Sequence, residues 1–150
     1  MNYEDLRITK LRAYLFNVID EITNNSEQIN ANMLDKDINN YSLDKIPVDT
    51  EMENWIIGIS IKRDVFSFRS RKAYSQDTIN NLKNIGFFET FEKKIKDKNN
   101  KGILPDIENI ESISCLNCGT MITNESNNAI FDIQIQITYR EEETYGQVSM

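Results

Sequence analysis

Cys115-Leu116-Asn117-Cys118-Gly119 is the segment whose residue types come nearest to a chemical site, because two thiols separated by two residues form half of a zinc ribbon. Structural zinc takes four ligands, whereas the chain holds two cysteines in all and no histidine. A full site would have to recruit carboxylates, so the pair reads as two small, partly buried thiols where a strand meets a turn. A thioredoxin-like role would require the pair to open a helix within a strand-helix-strand unit. The spacing does not suit a disulfide framework either, and reduced thiols fit a cytoplasmic setting.

Without histidine the usual general base is missing, which excludes catalytic triads and histidine-metal hydrolysis. Two groups of acids remain: Asp49, Glu51 and Glu53, and the run Glu141, Glu142 and Glu143. Neither is flanked by the apolar wall that would tune a carboxyl into a proton donor, so both read as solvated acids. There is no GxGxxG and no GxxxxGK[ST]. Phe66, Phe68, Arg69 and Arg71 have the types of an RNA-binding sheet, but alternation along a strand puts the rings on one face and the guanidinium groups on the other. Core aromatics beside surface arginines account for them. The expectation is a protein that is not an enzyme, with no catalytic residue, cofactor or metal.

Such residues need a frame to hold them. With 150 residues, the chain suits a single domain that buries about 70% of the surface its unfolded form exposes. No apolar run approaches the ~20 residues of a membrane span. The start, Met1-Asn2-Tyr3-Glu4-Asp5, carries acids where a signal peptide would carry Lys or Arg. This predicts a protein of the cytoplasm with no membrane partner. A net charge of −7 and a pI near 4.7 argue against a specific or general nucleic-acid partner. The charge is nevertheless unevenly spread: Lys62, Arg63, Arg69, Arg71 and Lys72 bracket one strand, and Glu141, Glu142 and Glu143 follow another. Separated patches of opposite sign suit head-to-tail contact between identical subunits.

Ile8, Leu11, Leu15, Val18, Ile19 and Ile22 recur at helical spacing and predict a first helix over about Tyr3 to Thr23. Residues 27 to 40 read as a loop with a short helical turn, Tyr41 to Val48 as a strand, and Asp49 to Asn54 as a polar connection. Ile57, Ile59 and Ile61 alternate on one parity and Phe66 and Phe68 on the other, which predicts one long strand re-aimed by a bulge near Lys62-Arg63-Asp64. Ser75 is an N-cap for a helix with Ile79, Leu82 and Ile85 inward, Gly86 stops it, and a second helix begins at Phe87 and ends at Gly102. Asn109 to Leu116 and Ala129 to Arg140 are strands joined by residues 117 to 128. In the latter, Ala129, Phe131, Ile133, Ile135, Ile137 and Tyr139 share one face. The expected fold is α+β: a mostly antiparallel or mixed sheet of about four strands, helices on one face, and residues 141 to 150 as a flexible tail.

Phe66-Ser67-Phe68-Arg69-Ser70-Arg71-Lys72-Ala73-Tyr74, then Asp77, Asn84-Ile85-Gly86-Phe87-Phe88-Glu89, Phe91, Gly102, Leu104-Pro105 and Ile133-Gln134-Ile135-Gln136 resemble, in this order, a family of small tail proteins. These belong to phages of Gram-positive bacteria and to phage-tail-like bacteriocins, are often labelled minor capsid proteins, and look like tail terminators. The resemblance spans about residues 41 to 140; the chain departs from the pattern at Cys115 to Gly119 and in its charged ending.

What the resemblance implies is a non-catalytic role. The subunit would form a homo-hexameric ring on the head-proximal end of the tail tube, stop its polymerisation, and meet neck or collar proteins and, in contractile tails, the sheath. It would be made in the cytoplasm of the producing bacterium and end in the virion or particle. Arg69, Arg71 and Lys72 are expected at one side of the subunit contact and Glu141, Glu142 and Glu143 at the other. The alternatives are a head–neck connector or tail-completion protein, and a small binding module that takes a partner strand along an edge such as Tyr41 to Val48.

Overall fold

The computed structural model describes residues 2–23, 29–31, 40–54, 58–73, 78–117, 119–124 and 128–142. Two long strands form its centre. β4 (Ile59–Ala73) and β7 (Asn128–Glu142) pair antiparallel without a register break, from Ile59 opposite Glu142 to Ala73 opposite Asn128. Each is flanked by an edge in two pieces. Along β4 lie β2 (Asn40–Ile46), opposite Val65 to Arg71, and β3 (Glu51–Asn54), opposite Ser60 to Lys62. Along β7 lie β5 (Ile110–Cys115) and β6 (Thr120–Asn124). These six are antiparallel to their neighbours, and β1 (Ile29–Ala31) adds to β2 in parallel. The four expected lanes are present, the two that flank the central pair are interrupted, and the edge expected at Tyr41 to Val48 is covered by β1 from Tyr41 to Leu43.

Alternation sorts the faces. Phe66 and Phe68 of β4, Tyr41 and Leu43 of β2, Ile113 of β5, and Ile133, Ile135 and Ile137 of β7 are buried on one side. The stripe Leu11, Leu15, Val18 and Ile19 of α1 (Arg7–Thr23) packs there, together with Phe88, Phe91 and Ile95 of α2 (Thr78–Asn100). This layering of helices on one sheet face is the α+β architecture the pattern predicts. A chain of rings cements α2 to the sheet: Tyr41 stacks on Phe68 at 5.5 Å, Phe68 on Phe91 at 5.3 Å, and Phe88 meets Phe131 at 4.9 Å. Glu21 of α1 reaches Lys98 of α2 at 3.0 Å, and the Tyr14 hydroxyl donates to the Ile103 carbonyl at 2.8 Å beyond the helix end.

Several expectations are corrected. Gly86 does not stop a helix; α2 runs through it on an exposed turn. A solvent-facing glycine costs a helix about 1 kcal/mol, and three buried apolar side chains just beyond it each return more. Ile85, expected inward, is exposed. The stop is at Gly102, φ +74°, where the Ile103 amide donates to the Lys98 carbonyl and the Gly102 amide to Asn99, a Schellman cap. β4 has no bulge against β7, so Ile59 and Ile61 lie on the face away from the helices. The Asp49 to Asn54 connection contains β3, and the 117 to 128 connection contains β6. Glu141 and Glu142 belong to β7 rather than to a tail. Ser75, Asp77, Cys118, Glu143 and residues 144–150 lie outside the described residues, as do the side chains of Ile79 and Leu82.

The interruption between β5 and β6 is built from local chemistry. The Leu116 amide still donates to the Gln134 carbonyl at 2.7 Å, and the Asn117 side-chain oxygen accepts from the Gln134 amide at 2.9 Å, replacing a backbone partner. Gly119 follows at φ +54°, where an added Cβ would sit 2.5–2.9 Å from Phe88 carbons. Gly119→Ala therefore combines a left-handed backbone with overpacking and should cost about 2–4 kcal/mol. Urea unfolding reads this as a lower midpoint at unchanged slope; an unchanged midpoint means that Phe88 yields freely.

Candidate interaction surfaces

Asp64 stands on the helix-facing parity of β4, between positions where an apolar residue is expected, and is only 1% exposed. Three side chains from three other elements converge on it. Arg7 Nε, at the first position of α1, donates to Oδ2 at 2.5 Å; the Tyr139 hydroxyl of β7 donates to Oδ1 at 3.2 Å; and Lys45 Nζ of β2 lies 3.7 Å away. The Arg7 guanidinium also stacks 4.4 Å above the Tyr139 ring. Burial would lower the Arg7 pKa, but the hydrogen bond and charge of Asp64 outweigh it and hold the group above its ordinary value. Burial, and then the charge of Asp64, push the Tyr139 hydroxyl up to about 12. The cluster is a clamp that fixes the start of α1 to the sheet. Its acid is fully satisfied by cations and a phenol, an arrangement that holds structure rather than one poised to move a proton.

Beside the clamp a groove of about 1030 Å³ opens between the start of α1, the turn 106–109 and the end of β7. Two of its acids are paired within the subunit: Asp106 with Lys10 at 3.5 Å and Glu141 with Lys62 at 3.3 Å. Asp5, Glu108 and Glu142 also line it and form no ion pair among the described residues; nor does Arg140, the remaining cation on its wall. The turn is held by Asn109, which takes φ +59° and whose carbonyl accepts from the Arg140 amide at 3.0 Å.

Of the basic residues of β4, Arg69 and Arg71 are at the other end of the same strands, whereas Lys62 and Arg63 lie near the acidic end, opposite Tyr139 and Thr138. Arg69 lies opposite Asp132 and Arg71 opposite Ile130, both on the face away from the helices. Arg69 is exposed and forms no ion pair among the described residues; Asp132 is engaged by the Ser67 hydroxyl. Lys72 does not join them. It shares the parity of Phe66 and Phe68, is 5% exposed, donates to the Tyr41 hydroxyl at 2.6 Å and lies 3.7 Å from the Phe87 ring centre. Its expected place in a subunit contact is therefore corrected: in this subunit it is a core residue whose charge is held by a phenol and aromatic faces. From Arg69 to Glu142 the separation is ten residues of β7, about 33 Å at the rise of a strand. Cys115 is half-buried on β5, and no cluster of three or more metal-binding side chains occurs among the described residues.

Sequence reasoning missed the Asp64 clamp and the contribution of Asp5 and Glu108 to the groove. The signal for the first was the parity break at Lys62-Arg63-Asp64. Asp5 and Glu108 are 103 positions apart in the chain, and nothing local links them. The chain matches no family model, and no curated protein matches it. No described helix is long and apolar enough to cross a membrane.

Two outcomes follow from the clamp. Arg7→Met leaves Asp64 buried with a distant Lys45 and should cost about 2–3 kcal/mol, whereas Asp64→Asn frees a partly exposed Arg7 to hydrate and should cost about 1 kcal/mol. Denaturant melts of both variants check the order; equal costs would mean that Lys45 and Tyr139 satisfy Asp64 by themselves. The second outcome concerns alkali. Tyr139 and Tyr14, whose hydroxyl burial also raises to about 12, ionise at the ordinary tyrosine value of 10.0 when unfolded. Their contribution is complete below pH 10 and is lost as pH rises toward 12. Tyr139→Phe should flatten part of that decline in stability, measured by denaturant melts across the window.

Proposed function

We propose that the protein is a structural subunit of a phage tail or phage-tail-like particle: a tail terminator. In this reading it assembles head to tail into a ring, six-membered by the family resemblance, on the head-proximal end of the tail tube. There it ends tube polymerisation and joins the tube to the neck. The observation that carries the reading is the placement of charge of opposite sign at the two ends of one strand pair, Arg69 and Arg71 at one and Glu142, beside the Lys62-paired Glu141, at the other. A ring needs two different surfaces on each subunit, each complementary to the other. The ordered pattern from Phe66 to Gln136 supports the choice of ring.

Supporting the same reading, the residues that could do chemistry have structural partners. Asp64 is clamped and Lys72 sits among rings. One observation favours the second reading, a binding module. β6 is a short edge with Met121 and Ile122 exposed at 42% and 52%, the kind of edge that can accept a partner's strand.

The mass of the purified protein in solution, measured by light scattering across concentration and with its tail-tube protein, separates the two. Rings, or caps on the ends of tubes in negative-stain images, are expected. A monomer that ignores the tube rejects the terminator and leaves the β6 edge as the surface to pursue.

A further inference from the structure

Resting on the ring reading, we infer that the groove between α1, the turn 106–109 and the end of β7 is the receptor for the Arg69–Arg71 corner of the next subunit. Its occupant is a second copy of this chain. Around the groove each subunit satisfies only part of its own charge. Lys10 and Lys62 occupy Asp106 and Glu141, and Arg7 is committed to Asp64. What remains on the groove wall is three carboxyls, Asp5, Glu108 and Glu142, against the single guanidinium of Arg140. At the corner, Arg69 is exposed on the face away from the helices without an ion pair among the described residues, and Arg71, which has a partner within the subunit, lies two positions along on the same side.

The two surfaces cannot meet within one subunit. They lie at opposite ends of β7, about 33 Å apart along the strand. The floor is also formed in advance. Tyr139 is fixed by its bond to Asp64 and covered by Arg7, so the wall does not have to rearrange to receive a guanidinium. Arginine suits such a site because its planar fork can bond two carboxylate oxygens at once.

The direction of such a contact makes it testable by charge exchange. One variant carries Arg69→Glu and Arg71→Glu and keeps its groove; the other carries Glu108→Arg and Glu142→Arg and keeps its corner. Light scattering in the presence of tube protein should find each alone at least tenfold weaker in self-assembly than the wild type. Mixed one to one they should assemble again as alternating subunits, since the unchanged groove of one takes the unchanged corner of the other and the reversed groove takes the reversed corner, and a chain with all four substitutions should likewise assemble. Circular dichroism checks folding; should a reversal unfold the chain, Arg69→Glu alone and Glu108→Gln with Glu142→Gln replace it. Wild-type assembly that neither variant disturbs overturns the groove assignment and leaves the ring reading standing. A folded four-fold variant that stays monomeric while the wild type assembles also overturns the groove assignment. A wild type that stays monomeric with and without tube overturns both.

Discussion

The unbroken antiparallel pairing of β4 with β7 is the constraint on which the rest of the molecule depends. At fifteen residues each, these strands exceed the three to ten typical of globular sheets, and twist accumulates along such a pair. Edge strands of equal length would have to follow that twist throughout. Here each edge is cut into two short pieces that re-register at their own irregularities, between Glu51 and Glu53 in β3, between Ile110 and Ser112 in β5, and between Met121 and Thr123 in β6. Between β5 and β6 the cut is carried by the bonds of Leu116 and Asn117 to Gln134 and by the left-handed Gly119.

How legible this was depends on the element. β7 could be read directly, because six residues of one parity are apolar and the others, Ile130 apart, are polar, and those six share the helix-facing side. β4 could be read as a single strand but not as an unbent one. Its parity break comes from one acid on the inner face, and the partners that make that acid tolerable, Arg7, Lys45 and Tyr139, are contributed by other elements, Arg7 lying 57 positions away. Gly86 was misleading because local propensity marks it as a stop, while the apolar face beyond it, Phe88, Phe91 and Ile95, keeps the helix against the sheet. β3 and β6 carried no core signature at all; Glu-Met-Glu-Asn and Thr-Met-Ile-Thr-Asn are strands because a neighbour offers its backbone.

The charged surfaces were half legible for a related reason. Grouping Arg69, Arg71 and Lys72 as one basic run ignored the alternation already used for Phe66 and Phe68, which turns Lys72 inward. Applying strand parity to charge as strictly as to apolar residues would have found this. The acidic end was expected just past the last strand, whereas Glu141 and Glu142 belong to β7, and it was incomplete, since the groove joins it to the start of α1 and to the turn 106–109. Such a surface exists only after the Arg7 clamp has docked α1, so no window of sequence contains it.

The energetics of such surfaces bear on how a ring of these subunits would behave. Exposed ion pairs contribute about 0–1 kcal/mol each because water and salt compete for the charges, so a few arginines in an open groove orient a contact more than they hold it. Like charges placed face to face, in contrast, oppose a wrong contact strongly and set its direction. A closed ring repeats the same weak contact around a circle, and a tube end that presents all subunits with neighbouring sites raises their effective concentration further. A subunit built this way, in the proposed role, would stay dispersed until a finished tube gathered it. For a protein whose proposed task is to stop growth only at a completed end, contacts too weak to close a ring in free solution are an advantage, and charge rather than buried apolar area is the chemistry that provides them.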